Sequence, residues 1–293
     1  MELWLIYAIG AAVFAALTTI LAKIGIKNVG SNLATAIRTM VVLAFAWIIV
    51  FIVGSHSEIG DATPRTWIFL ILSGLATGGS WLCFFKALQL GDVNRVVPLK
   101  KSSTITTMLM AFIFLGEPLG VPMIVGMVLI AMGTWLMIKP KKAASSESEA
   151  VKSRHSWLFF AVLAAVFASL TAILGRIGIA DIEANLGTAI RTVAVVPMSW
   201  IMVLITKEQK GITSIDRKSW VFLVLSGMAT GASWLLFYHA LQVGYASLVV
   251  PVDKLSIVAT MAFARVVLGE RFSKRSLIGL AILTLGTLLP VIF

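Results

Sequence analysis

Of the chain's 293 residues, 59% are hydrophobic and 13% charged, with a mean hydropathy of +0.99. A soluble domain carries about 25% charged residues, so this composition excludes a soluble globular protein and fits a chain that lives in a bilayer. The net charge of +11 does not point to nucleic acid, because the Lys and Arg residues sit in short loops and at the mouths of apolar runs, not in a stripe interleaved with aromatics. The one cysteine, Cys83, excludes a disulfide within the chain.

The chain opens on an apolar stretch, 3–22, with no basic segment before it and no small-residue cleavage site, which reads as a first transmembrane helix. Further apolar runs follow at 33–53, 67–90, 96–116 and 120–138, then at 156–175, 186–206, 219–243, 248–269 and 276–293. About 20 apolar residues cross the hydrocarbon core, so ten transmembrane helices are expected. Between the fifth and sixth runs lies KPKKAASSESEAVKSRH, whose Ser, Ala and charged residues suit a solvated tether.

The last five runs repeat the first five at an offset of 153 residues, without a gap. Trp4 aligns with Trp157, Asn32 with Asn185, Pro98 with Pro251, Glu117 with Glu270 and Gly126 with Gly279. SGLATGGSW at 73–81 aligns with SGMATGASW at 226–234. Such a density of matches points to a duplication, with a first unit at 1–138, a linker at 139–155 and a second unit at 156–293. Five is odd, so the second unit starts from the opposite side of the membrane. The charges agree. The loop after the second run holds Arg65 beside Glu58 and Asp61, whereas its mate holds Lys207, Lys210, Arg217 and Lys218. The turn after the fourth run holds Glu117 and no base, whereas its mate holds Arg271, Lys274 and Arg275. Cytoplasmic loops carry the Lys/Arg excess, which places both termini outside. The expected fold is an all-α integral membrane protein of ten transmembrane helices, arranged as two inverted five-helix repeats around a central cavity. Secondary transporters build midplane sites at the interface of such repeats.

Each Lys or Arg at a helix centre costs about 2.5–3.5 kcal/mol on the insertion scale. The chain nonetheless keeps Lys23, Arg38, Lys86, Lys100, Lys101, Arg176, Arg191 and Lys254 near or within its spans. Lys23 is the repeat mate of Arg176, Arg38 of Arg191, and Lys101 of Lys254; Lys86 is matched by His239 and Lys100 by Asp253. With Asp253 as the only carboxylate similarly placed, these cations cannot all be paired within the protein. Inversion would set one basic cluster toward each mouth of a cavity, able to hold an anion through charge-assisted hydrogen bonds. Snorkelling of the long side chains to the interface is the competing reading, strongest for Lys23, Lys86 and Arg176 at the ends of their runs. Arg38, Lys101, Arg191 and Lys254 are the stronger substrate candidates.

Lys100, Ser103 and Thr107 share a helix face, which Asp253, Ser256 and Thr260 repeat. Those hydroxyls either bond across to another helix or line a pathway. Pro98 and Pro251 either start their helices or mark a break beside a cavity. The SGLATG and SGMATG segments let backbones approach closely, with Trp81 and Trp234 as walls if they instead make room for a substrate. Asp253 and His239 could carry a proton for coupling; an ion pair between Asp253 and a neighbouring lysine is the equal alternative, and facilitated diffusion needs neither. His56, His155 and His239 are scattered, and neither a metal-ligand cluster nor a nucleophile–base–acid set appears, so no catalytic residue, cofactor or metal is expected.

Two inverted halves, each with a fourth helix ending FLGE (114–117) or VLGE (267–270), resemble the EamA-type members of the drug/metabolite transporter superfamily over essentially the whole chain. The resemblance implies a ten-helix bundle whose central cavity is lined by the first, third and fourth helices of each half, working by alternating access on small metabolites, often outward. The lysines and arginines of the second, fourth, seventh and ninth runs depart from many amino-acid exporters of that family and favour an anionic substrate. The expected function is thus secondary-active or facilitative transport, as an exporter, of a small anionic metabolite across the plasma or inner membrane. A flippase for a lipid-phosphate or lipid-linked sugar and a non-transporting scaffold are the alternatives. The expected partners are the substrate and the lipid bilayer, with no nucleic acid; a homo-oligomer stays open.

Overall fold

The computed structural model describes residues 2–26, 29–90, 96, 99, 102–137, 156–267 and 273–293, and every regular element among them is helical. The first half contains α1 (Leu3–Gly25), α2 (Ser31–Val53), α3 (Pro64–Leu90), α4 (Ser103–Leu115) and α5 (Val121–Met137). The second contains α6 (Ser156–Gly178), α7 (Ala184–Thr206), α8 (Arg217–Val243), α9 (Ala246–Lys254), α10 (Ser256–Val267) and α11 (Lys274–Ile292). Short 3-10 segments, Ser55–Asp61 and Glu208–Ser214, follow α2 and α7 at equivalent places.

Eight stretches of the described residues are long and apolar enough to cross a bilayer, and the chain is a multi-pass membrane protein. The apolar runs led to ten. The two that fall short are α4, of 13 residues, and α5, of 17. Pro98, Lys100 and Lys101, near the beginning of the fourth run, lie outside the described residues, and so does the stretch 138–155.

The bundle is sorted by side-chain size more than by polarity. Large apolar side chains such as Ile52, Val121 and Trp135 point outward, while Ala8, Ala11, Ala161 and Ala164 are fully buried. Small residues let helices approach where lipid is as apolar as leucine and hydrophobicity cannot hold helices together. The approach is closest between α5 and α11. There a Cβ on Gly133 would stand 2.5 Å from the Leu283 nitrogen, and one on Gly126 would stand 2.7 Å from the Gly286 carbonyl. Gly126 and Gly279 are repeat mates, as are Gly133 and Gly286. Because Gly126 faces Gly286 and Gly133 faces Gly279, these two mate helices run antiparallel.

Hydroxyl groups tie the rest, in mirrored pairs. Ser73 and Ser80 of α3 donate to the Thr171 and Ala164 carbonyls of α6, at 2.7 and 2.8 Å. Their mates Ser226 and Ser233 of α8 donate to the Thr18 and Ala11 carbonyls of α1, both at 2.9 Å. The contacts Thr77–Thr171 and Thr18–Thr230, each 3.3 Å, are mirrored too. The fold therefore has internal pseudo-symmetry at the level of single hydrogen bonds.

Helix ends must find partners for their free backbone groups, and here carboxylates serve several of them. Glu183 caps α7 through the amides of Asn185 and Leu186, at 2.9 and 3.0 Å. Glu208 reaches across from the second half to the amides of Asn32 and Leu33 at the start of α2, both at 3.0 Å. The ninth run forms two helices with a break near Pro251, one of the two readings open for that proline: α9 contains Pro251 and ends at Lys254, and the Leu255 amide bonds the Val252 carbonyl at 2.9 Å. The same i to i−3 closure joins Ser102 to the Leu99 carbonyl at 3.2 Å in the first half. A proline removes one donor and crowds the preceding turn, and irregular backbone at membrane depth is tolerated where it lines a cavity.

The α5–α11 crossing gives a stability test. Gly133→Ala pushes a methyl into backbone and lowers stability by about 1–3 kcal/mol, read as a lower thermal midpoint in detergent. Gly60→Ala, where a Cβ meets nothing within 4 Å, leaves the midpoint unchanged.

Candidate functional site

The helices enclose a central cavity of about 300 Å³. Helices α1, α3, α4, α6, α8 and α9 all line it, which is the first, third and fourth helix of each half, and α7 adds Arg191. Trp81 and Trp234 form part of its wall, and Ser103 and Thr107 face it. The SGLATG segment serves both purposes weighed for it. Gly74 and Gly78 lie against Ala194 and Met198 of α7, while Thr77 and Ser80 reach the cavity.

Arg191 is the central feature. Its side chain is 1% exposed, yet it lines the cavity. Nε donates to the Ser73 hydroxyl at 3.3 Å and Nη2 to the Thr77 hydroxyl at 2.8 Å. Neither hydroxyl proton competes: Ser73 gives its proton to the Thr171 carbonyl, and Thr77 to the Ser73 carbonyl at 3.0 Å. Both oxygens therefore turn lone pairs toward the guanidinium. Two aromatic faces complete the holder, with the guanidinium carbon 5.0 Å from the Trp234 ring centre and 4.7 Å from that of Tyr238. Among the described residues no carboxylate pairs with Arg191. Five N–H donors and two hydrogen bonds to protein leave the group with donors to spare. An arginine so held is rigid, desolvated and able to fork onto a carboxylate or phosphate.

Its mate Arg38 follows the same plan incompletely. Nη2 donates to Thr230, the mate of Thr77, at 3.0 Å, and Thr230 gives its own proton to the Ser226 carbonyl at 2.7 Å. Arg38 Nε is buried and has no hydrogen-bond partner. Arg38 lines neither the central cavity nor the chamber beside it.

The other expected site residues separate. Lys254 lines the cavity but is not an unmatched cation: its Nζ lies 2.8 Å from Asp253, which also lines the cavity. These two neighbours in sequence pair in the last turn of α9, just before the break at Leu255. His239, expected at a mouth of the cavity, sits away from it. It stacks on Tyr7 at 5.2 Å and lies 3.2 Å from the Asn185 side-chain oxygen and 3.4 Å from Glu183. Lys23 and Lys86 are exposed near the ends of α1 and α3. Arg176, half-buried in the last turn of α6, opens onto a cleft with Glu117, Asp181 and Tyr245. Lys101 lies outside the described residues.

Asp253 is also not the only carboxylate inside the bundle. Glu117, the last residue of FLGE, is 5% exposed and accepts from the Ala246 and Ser247 amides at 2.7 and 2.8 Å. Gly116, in the left-handed region at φ 66°, ends α4 and turns the chain so that Glu117 can cap α9 of the opposite half. The motif was visible in the sequence; its partner 129 residues away was not. Glu117→Ala leaves two buried amides without an acceptor, each costing about 1–3 kcal/mol. The expected result is a markedly lower thermal midpoint, partly restored by Glu117→Gln.

Three likenesses to known proteins accompany this geometry. The model of the EamA-like transporter family matches residues 2–139 and 155–292. A Sinorhizobium protein described as an uncharacterized transporter in the cobO 3′ region is 44% identical over 134 residues, 46% of this chain and 95% of that protein. A solved structure described only as a crystal structure of a protein superposes with a TM-score of 0.75 over 99% of this chain and 96% of its own, at 16% identity. That last likeness concerns the fold alone.

Proposed function

We propose that this chain, which belongs to the EamA-like transporter family and is a membrane transporter and not an enzyme, exports a small anionic metabolite by alternating access. Its architecture on this reading is ten spans in two inverted five-span halves, 1–138 and 156–293, joined by 139–155, around the central cavity. The mirrored hydrogen bonds, the antiparallel mate helices α5 and α11, and a half-length relative all support it. The proposed location is the plasma or inner membrane, with both termini outside by the charge of the loops.

The observation that carries the anion is Arg191, buried at the cavity wall and held by hydroxyls and aromatic faces. A carboxylate or phosphate oxygen accepts from its remaining donors, with Trp81 and Trp234 closing on the organic part of the substrate. Lys254 and Asp253 form a neutral pair at the same cavity; of the two coupling candidates, Asp253 has the cavity contact that His239 lacks. Arg38, held by the mirrored Thr230, takes the place of Arg191 when the halves exchange conformations. Inverted repeats make the two states of such a cycle related by that exchange.

Purified protein in liposomes tests this with a panel of labelled carboxylates and phosphate esters. Wild-type protein should move at least one of them. Arg191→Met should lower that flux by about 10- to 100-fold, the worth of a hydrogen bond to a charged group in a buried site, while Lys86→Met stays near wild type. Flux of neutral or cationic solutes alone contradicts the reading.

A further inference from the structure

A second chamber, of about 440 Å³, adjoins the central cavity and shares Ser103, Ala168 and Lys254 with it. It lies chiefly among α4, α5, α10 and α11, with Thr19 of α1, Ala168 of α6 and Lys254 of α9 also at its wall. Its wall is rich in hydroxyls, and these fall into two groups. Thr19, Thr260 and Thr287 bond carbonyls of their own helices, at 3.0, 2.8 and 3.0 Å. Ser103, Thr104, Thr134 and Ser256 also line the chamber, and no hydrogen bond from their side chains to protein is present among the described residues. Thr104 is only 4% exposed and Thr134 only 9%.

A hydroxyl buried without a partner costs about 1–3 kcal/mol, and a serine or threonine in a helix normally avoids the cost by bonding the carbonyl one turn back. Four that do not, Thr104 and Thr134 buried and Ser103 and Ser256 half-buried, face one space and form a recognition surface for a ligand that both donates and accepts. An acyl chain would leave all four unpaired. A second anion finds no net charge, because Lys254 is already matched by Asp253. An uncharged, polyhydroxylated group satisfies the wall.

We propose that this chamber is a second substrate subsite, which binds the polyhydroxylated portion of the molecule whose anionic end lies at Arg191. The inference rests on the anion reading and narrows it to polyhydroxy acids, molecules of the sugar-acid type. Ser103 and Lys254, common to both spaces, mark where such a molecule passes from one to the other.

Binding to the purified full chain in detergent tests the assignment with three probes of equal carbon number: gluconate, hexanoate, which lacks the hydroxyls, and glucitol, which lacks the charge. Gluconate should bind wild-type protein at least tenfold more tightly than hexanoate. Thr134→Val and Ser256→Ala, each removing one hydroxyl at nearly constant shape, should weaken gluconate and glucitol by about 3- to 10-fold apiece. Neither variant should lower the thermal midpoint, since each removes an unpartnered hydroxyl, and both should keep the wild-type affinity for hexanoate. Gluconate and glucitol bound equally well, both weakened by the hydroxyl variants, would uphold the chamber and overturn the anion at Arg191. Gluconate and hexanoate bound equally well, both lost in Arg191→Met, would uphold the anion and overturn the chamber. Unchanged gluconate and glucitol binding in the hydroxyl variants, or no binding of either probe, also overturns the chamber.

Discussion

The structure depends on serine hydroxyls that leave their own helix and bond the carbonyl of another. Ser73 and Ser80 fasten α3 to α6, and Ser226 and Ser233 fasten α8 to α1. In a bilayer the hydrophobic effect does not drive helices together, so close backbone packing and such bonds must. Each bond joins the two halves, because each runs from a third helix to the first helix of the opposite half. The halves therefore hold one another through two equivalent seams, and the space between the seams is the cavity. A third contact, the glycine crossing of α5 with α11, closes the bundle on the pseudo-symmetry axis.

The same hydroxyls that fasten the seam also set the site. Ser73 spends its proton on the Thr171 carbonyl and is left as an acceptor for Arg191; Thr77 does the same through the Ser73 carbonyl. Burying a guanidinium away from water is costly, by several kcal/mol even after relaxation, and two neutral oxygens with two aromatic faces offset only part of that. On the proposed reading an anion in the cavity would remove the remainder, and so couple binding to the seam that joins the halves. The broken α9–α10 segment contributes the other charged pair, and Glu117 steadies that segment by capping its first turn. Site and scaffold are thus made of the same few bonds.

Much of the fold was legible in the sequence because hydropathy and duplication are local, additive signals. Twenty-residue apolar runs located the helices, and the constant offset paired Ser73 with Ser226 and Arg38 with Arg191 before any contact was known. The offset could not say which mate would be engaged. Arg191 has Trp234 and Tyr238 against it, whereas Arg38 keeps a buried nitrogen without a partner. That Lys254 turns to its neighbour Asp253 was one of two readings the sequence left open for that carboxylate, because adjacency allows the pair without deciding it. His239 looked like a repeat counterpart of Lys86 but is bound up with Glu183 and Asn185 at the start of α7. Glu117 was read as a family signature, and its grip on α9 emerged only when the halves met. The unbonded hydroxyls of the second chamber are invisible to periodicity, because a bonded and an unbonded threonine look alike in a sequence.

The most direct test of an anion at Arg191 is the fluorescence of Trp234, whose ring lies 5.0 Å from the guanidinium. The change in emission on titrating carboxylates, each paired with its neutral amide, would be compared between wild-type protein and Trp234→Phe. The account predicts a saturable change for a carboxylate, none for its amide, and a signal reduced in Trp234→Phe to what Trp81, on the same wall, contributes. An equal response to the amide, or a signal undiminished in Trp234→Phe, would contradict it.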